Sequence, residues 1–180
     1  MAKFYDVLSP ELIEFIKNQK VFFTGTAAPN GRVNVSPKGM DSFRVLGPNK
    51  VAWLNLTGSG NETAAHLKQL NRITIMFCAF EGKPLILRLF GSAKTIHPQN
   101  DEWAEYLELF PEPFGARNIF VVTLDSVQTS CGFGVPLMEY KDDRKVLTDW
   151  AERKGEEGIK DYWKEKNQVS IDGFPTGLFD

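Results

Sequence analysis

The stretch Thr57-Gly58-Ser59-Gly60-Asn61-Glu62-Thr63-Ala64-Ala65-His66-Leu67 concentrates groups suited to holding an anion. Two glycines, Gly58 and Gly60, allow tight backbone curvature, so several amides can converge on one concavity. A helix is expected to start at once, from Glu62 to about Leu70, and a helix start carries unsatisfied N–H donors and partial positive charge. The hydroxyls of Ser59 and Thr63 and the amide of Asn61 would add donors. The same letters also spell an ordinary capping box between Ser59 and Glu62, and the Glu62 carboxylate would compete with a bound anion. A second stretch, Val35-Ser36-Pro37-Lys38-Gly39, displays a lysine on a constrained backbone. Lys38 is able to donate to an oxygen of a ring or phosphate, or to sit solvated in a turn. Arg88 interrupts the apolar run Leu85 to Gly91, where it must snorkel, pair with a carboxylate or face a ligand.

Other chemistries find less material. Cys131 has no histidine near it in sequence and reads as a small packed hydrophobe. The two histidines, His66 and His97, and the two cysteines do not have zinc-ligand spacing, so no metal site is expected. Lys plus Arg (21) nearly balance Asp plus Glu (23), which leaves no basic field for nucleic acid. The longest apolar stretch, near Ile73 to Phe80, is far short of the ~20 residues a membrane helix needs. The N-terminus lacks the apolar core of a signal peptide, so a cytoplasmic chain is expected.

Positioning these groups falls to a series of short strands. Ser9 can cap a first helix with Pro10 at its start and Leu12, Phe15 and Ile16 on one face. Strands are expected at Val21 to Thr26, Val33 to Ser36, Phe43 to Leu46, Val51 to Leu56, Ile73 to Phe77, Leu85 to Ala93 and Ile119 to Leu124. Val33 and Val35 alternate with Asn34 and Ser36, which gives one face to bury and one polar face. Pro37 ends that strand or marks a sheet edge. Asn100 or Asp101 can cap a helix carrying Trp103, Tyr106, Leu107 and Phe110. The remainder, charged and helical, carries Leu147, Trp150 and Ala151, then Tyr162 and Trp163.

Tight turns join most strands, which makes antiparallel pairs. With 180 residues, 42% hydrophobic and 24% charged, the composition suits a single packed domain over 1–180. Phenylalanine supplies 14 of the aromatic residues, which favours strands and an aromatic interior. About six strands suggest a mainly β (α+β) chain, its sheet curled into a small barrel over about 20–136 with a helical C-terminal extension over about 137–180. No G-x-G-x-x-G or Walker loop supports a doubly wound sheet.

Taken together, the order of these segments from Val21 to Ala93 resembles the FMN-binding split β-barrel family related to pyridoxamine 5′-phosphate oxidase. The resemblance rests on Ser36-Pro37-Lys38-Gly39, the Asn55-to-Asn61 loop, the helix from Glu62, Arg72-Ile73-Thr74-Ile75-Met76-Phe77 and Leu87-Arg88-Leu89-Phe90-Gly91-Ser92-Ala93. It implies an antiparallel six-stranded split β-barrel with flanking helices, FMN as cofactor, and a homodimer holding FMN at the subunit interface. It places Ser36, Pro37, Lys38 and Gly39 along the flavin, with Leu54 and Asn55 on the adjacent strand. Ser59, Gly60, Asn61 and Thr63 fall at the phosphate, and Arg88 projects toward the cofactor region, that of the partner subunit included. Trp150, Trp163 and the tail are candidates to cover the ring. Two departures stand out. Glu62-Thr63 replaces the Arg-Lys pair of the oxidases, and the tail Ser170 to Leu178 lacks their substrate-binding Arg and His. The implied activity is thus an oxidoreductase of other substrate, transferring hydride through flavin N5. A flavin- or haem-binding module without turnover is the alternative.

Overall fold

The computed structural model describes residues 2–111 and 114–180. Helix α1 (Pro10–Asn18) begins where Ser9 accepts the Leu12 N–H, and it buries Leu12 and Ile16. Eight strands form, seven over the expected segments, the last of them much longer than expected, and β1 in addition: β1 (Lys3–Tyr5), β2 (Phe22–Thr26), β3 (Asn34–Lys38), β4 (Phe43–Gly47), β5 (Lys50–Leu56), β6 (Ile73–Cys78), β7 (Ile86–Ile96) and β8 (Ala116–Ser130). Between them lie α2 (Glu62–Gln69) and α3 (Trp103–Leu107), and α4 (Val146–Lys166) comes last.

All strand pairs are antiparallel, in the order β3-β2-β6-β7-β8-β5-β4, with β1 added on β8. The six-stranded barrel expected from the sequence is therefore corrected to one eight-stranded sheet, and its hydrogen-bonded path is open between β3 and β4. The cause is the length of β8. Its 15 residues pair with β7 along one side, and with β5 and then β1 along the other. Pro37 lies on β3, an edge strand, where a missing N–H leaves no ladder bond unmade.

Alternate residues of β2, β5, β6, β7 and β8 bury one side of the sheet. Val51, Trp53, Ile75, Phe77, Leu87, Leu89, Phe120 and Val122 form its centre, with α1 packed against it. The aromatic interior is present: Trp53 stacks on Phe120 at 4.4 Å between ring centres, and Phe22, Phe43 and Phe77 meet edge-on or tilted. A second cluster joins Ala52, Leu54, Ile96, Phe110, Ile119 and Val121 under α3. A third ties α4 to the tail through Ala151, Ile159, Trp163 and Leu178.

Several local expectations differ, and Cys131, expected to pack as a small hydrophobe, is exposed. Val33 and Val35 are exposed (72% and 66%), and it is the Asn34-Ser36-Lys38 side of β3 that turns inward. Asn100 does not cap α3; its side chain accepts the His97 N–H at 2.7 Å, and α3 is only five residues long. Helix α4 breaks at Gly155, whose φ of 67° is reached cheaply only without a Cβ. Among the described residues, no helix is long and apolar enough to cross a membrane.

Candidate functional site

The inward side of β3 carries Asn34, Ser36 and Lys38, spaced by two as a strand requires. Opposite them the Thr57-to-Asn61 loop leads into α2, and the end of α4 with the tail closes a third side. Together they enclose a cleft of about 610 Å³. Of the residues expected from sequence, Ser36, Lys38, Asn55, Ser59, Gly60, Asn61 and Thr63 line it. Pro37 and Gly39 face a neighbouring cavity that also touches Lys38. Leu54 is buried in the second core cluster instead. Arg88 bonds Ser130 at 3.2 Å on β7 and stays outside this chain's cleft.

Helix α2 begins without a capping box. Asn61 takes the cap position but makes no side-chain cap bond, and Glu62 accepts the Ile171 N–H at 3.0 Å. The first-turn amides thus keep the donor capacity of an uncapped helix start. Thr63 accepts from Asn34 Nδ2 at 3.2 Å, and Ser36 donates to Asn34 Oδ1 at 2.9 Å. His66 sits behind this network, its Nδ1 3.1 Å from Thr26 Oγ1.

The residue that sequence reasoning missed is Arg117. Along β5 and β8, Asn55 pairs with Asn118 but Leu56 pairs with Ala116, so Arg117 is the extra residue of a β-bulge. A bulge re-aims a side chain that a regular ladder would hold flat, and Arg117 lines the cleft at 2% exposure. It donates to Asn167 Oδ1 at 2.6 Å and to Gly58 O at 3.3 Å, while its Nε is buried without a partner. Asn55 donates to Asn118, which donates to Asn61, and the Asn61 Nδ2 is a second buried donor with nothing to bond. The sequence signal was slight: two polar residues, Arg117 and Asn118, just ahead of the apolar run that starts at Ile119.

Electrostatics sharpen the geometry. Loss of water lowers the Arg117 guanidinium to about 10, and burial with the nearby Arg117 charge lowers Lys38 to about 8. Among the described residues, neither cation forms an ion pair with a carboxylate. Two positive charges, Arg117 dehydrated and Lys38 largely so, and two orphaned donors in one cleft match an anion with several oxygens.

The tail is built into this wall. Trp163 Nε1 donates to Thr57 at 2.8 Å, Asn167 Nδ2 to Gly58 O at 3.1 Å, and Thr176 to Asn167 O at 2.8 Å. Asp172 accepts the Arg32 N–H at 2.7 Å and pairs with its guanidinium, and Asp180 pairs with Lys68.

Comparison with known proteins now decides the lineage. The pyridoxamine 5′-phosphate oxidase family model matches residues 8–131. The chain belongs to that family. The pyridoxamine 5′-phosphate oxidase family protein ustO of Aspergillus flavus is 38% identical, over 97% of this chain and 78% of its own length. Among solved structures, HupZ of group A Streptococcus aligns with a TM-score of 0.54 at 18% identity, covering 67% of this chain and 91% of its own. A pyridoxamine 5′-phosphate oxidase-like protein of Lactobacillus delbrueckii aligns at 0.53 and 21%, covering 68% and 94%. These two likenesses concern the fold. The family match stops before α4 and the tail, whereas the ustO match takes in most of that extension.

Proposed function

We propose that this member of the pyridoxamine 5′-phosphate oxidase family is an FMN-binding oxidoreductase that works as a homodimer. The observation that carries the reading is the pair of unneutralised cations, Arg117 and Lys38, beside the uncapped start of α2. A phosphate monoester would take the amides of α2, the hydroxyls of Ser59 and Thr63, the Asn61 Nδ2 and the Arg117 Nε. Arg117 supplies the charge that Glu62-Thr63 lacks relative to the Arg-Lys pair of the oxidases. Ser36, Lys38 and Asn55 would flank the flavin ring. When bound, the flavin supplies hydride transfer at its N5.

This chain's own groups then have distinct tasks. Lys38 Nζ, whose pKa burial and Arg117 lower to about 8 in the empty cleft, would donate to a polar edge of the ring. The tail, through Val169, Ser170 and Ile171, walls the cleft and would cover a bound ligand. The exposed Val33 and Val35 of edge strand β3 fit a subunit interface next to the site. Haem binding has less support, because both histidines are buried (His66 1%, His97 8%) and neither lines the cleft. The lack of the oxidases' tail Arg and His argues for a substrate other than a vitamin B6 phosphate.

The test is a visible spectrum of freshly purified protein, with mass identification of whatever denaturation releases, then anaerobic addition of NADH or NADPH. Flavin bands, released FMN and bleaching by a reduced nicotinamide are expected. A colourless chain that also refuses added FMN would overturn the reading.

A further inference from the structure

Beyond Lys38 lies a second cavity, of about 700 Å³, on the other side of the same lysine. Its wall is largely apolar, from Val21 and Pro37 at the strand ends, Met40 in the next turn, and Leu147 and Trp150 on α4. Its rim is charged. Lys20, Lys38, Arg144 and Arg153 contribute four cations against the carboxylates of Asp142 and Asp143. Among the described residues, none of these four cations forms an ion pair with an acid. Lys20 instead lies over the Tyr140 ring at 5.5 Å.

The floor is held in place at a conformational cost. Met40 and Asp41 both have positive φ, 60° and 51°, which non-glycine residues seldom adopt. Ser42 donates to Gly39 O at 2.6 Å, and Arg44 donates to the Asp41 carbonyl and carboxylate, which fixes this turn against the cavity. The far wall comes from α4 and the segment before it, residues outside the span that matches the family model. Whatever binds there is recognised by a part of the chain that the common fold does not include.

We infer that this cavity binds a flat, apolar small molecule bearing one carboxylate, placed beside the polar cleft with Lys38 as the shared wall. Its role as the substrate site rests on the flavoprotein reading; the binding site itself does not. The apolar wall receives the body of the molecule, Trp150 offers it an aromatic face, and the net positive rim takes the carboxylate.

The test titrates the full chain, free of FMN, with 2-naphthoate by calorimetry, using neutral 2-naphthalenemethanol as the comparison. One site per chain is expected, with the acid binding roughly fivefold or more tighter than the alcohol, the scale of one favourable charge contact. Leu147→Trp, which fills the cavity, should weaken naphthoate about tenfold while FMN titration stays at the parent value. Arg144→Gln, at an exposed position, should weaken it a few-fold and carries the test if the filling variant does not fold. Equal binding of acid and alcohol, unchanged binding in both variants, or one-for-one displacement of naphthoate by FMN would overturn the assignment. A chain that takes naphthoate but not FMN would sink the flavin reading alone and leave this site standing.

Discussion

Arg117 is a buried cation whose hydrogen-bond partners, Asn167 and the Gly58 carbonyl, are neutral, and such a group is costly to keep unless something negative visits it. Arg117→Met should therefore separate two properties. FMN affinity should fall about 10- to 100-fold, the worth of a charge-assisted hydrogen bond. The melting temperature of the ligand-free chain should hold or rise, because a dehydrated charge is removed. Calorimetry and thermal denaturation of the same sample check both, and a large loss of stability with intact affinity would make Arg117 purely structural. Lys38 adds a pH signature. Its charge is lost as pH rises through about 8 in the empty cleft, whereas a bound dianion would hold the proton on. Binding thus takes up a proton above that pH, so FMN affinity should decline from pH 8 toward 10. Lys38→Met should flatten this decline, as read by fluorescence titration. Lys38 was legible from its strand and its proline. Arg117 was not, because its direction depends on a register slip that no local pattern encodes.

Such slips recur across the sheet, in the β4–β5, β5–β8 and β7–β8 pairs. At Gly91 the β7–β8 register shifts, and a Cβ built there would lie 2.1 Å from the Thr123 carbonyl oxygen. Backbone cannot move aside as a flexible side chain does, so Gly91→Ala should cost about 3 kcal/mol or more. Urea denaturation would measure it, and a loss below about 1 kcal/mol would show that the sheet yields there. Helix α1 was readable from its Ser9 cap and its spacing, and α2 from the glycine turn ahead of it, although its expected Ser59–Glu62 capping box does not form. The length of β8 was not. Its apolar centre announced a strand from Ile119 to Leu124, but its polar ends gain their strand character only from β1, β5 and β7 beside them. The direction of β3 was also hidden. Alternation says that two faces differ, and it does not say which one meets the site.

At the scale of the molecule, β3 is an edge strand among the described residues, with Val35 on it and Val33 just ahead of it in solvent. If that edge is a subunit interface, Val33→Glu combined with Val35→Glu should shift sedimentation toward the monomer and weaken FMN retention. A variant that stays dimeric would place the interface elsewhere. Acid stability follows from the junction of the sheet with the tail. Burial lowers His97 from the ordinary 6.5 to about 4, partly offset by Asp180 and reinforced by Lys68 and Arg117. The unfolded chain then binds a proton that the folded chain refuses, so stability falls as pH drops from about 6.5 to 4. The loss is on the order of 2 kcal/mol after allowing for the water His97 still meets. His97→Asn should reduce this acid-limb slope in denaturation curves taken across that range.

Turn chemistry, side-chain period and a local cap act over a few residues, so the antiparallel hairpins, the start of α1 and the glycine loop ahead of Ala64 could be read from sequence. The folded chain alone turns Arg117 into the cleft, walls it with the tail, shows Val33 and Val35 outward, and sets Lys38 between two cavities. Those outcomes depend on register and on contacts such as Arg117–Asn167 and Thr57–Trp163, made between residues 50 and 106 positions apart. Over such separations the choice is made by which surfaces the folded chain brings together.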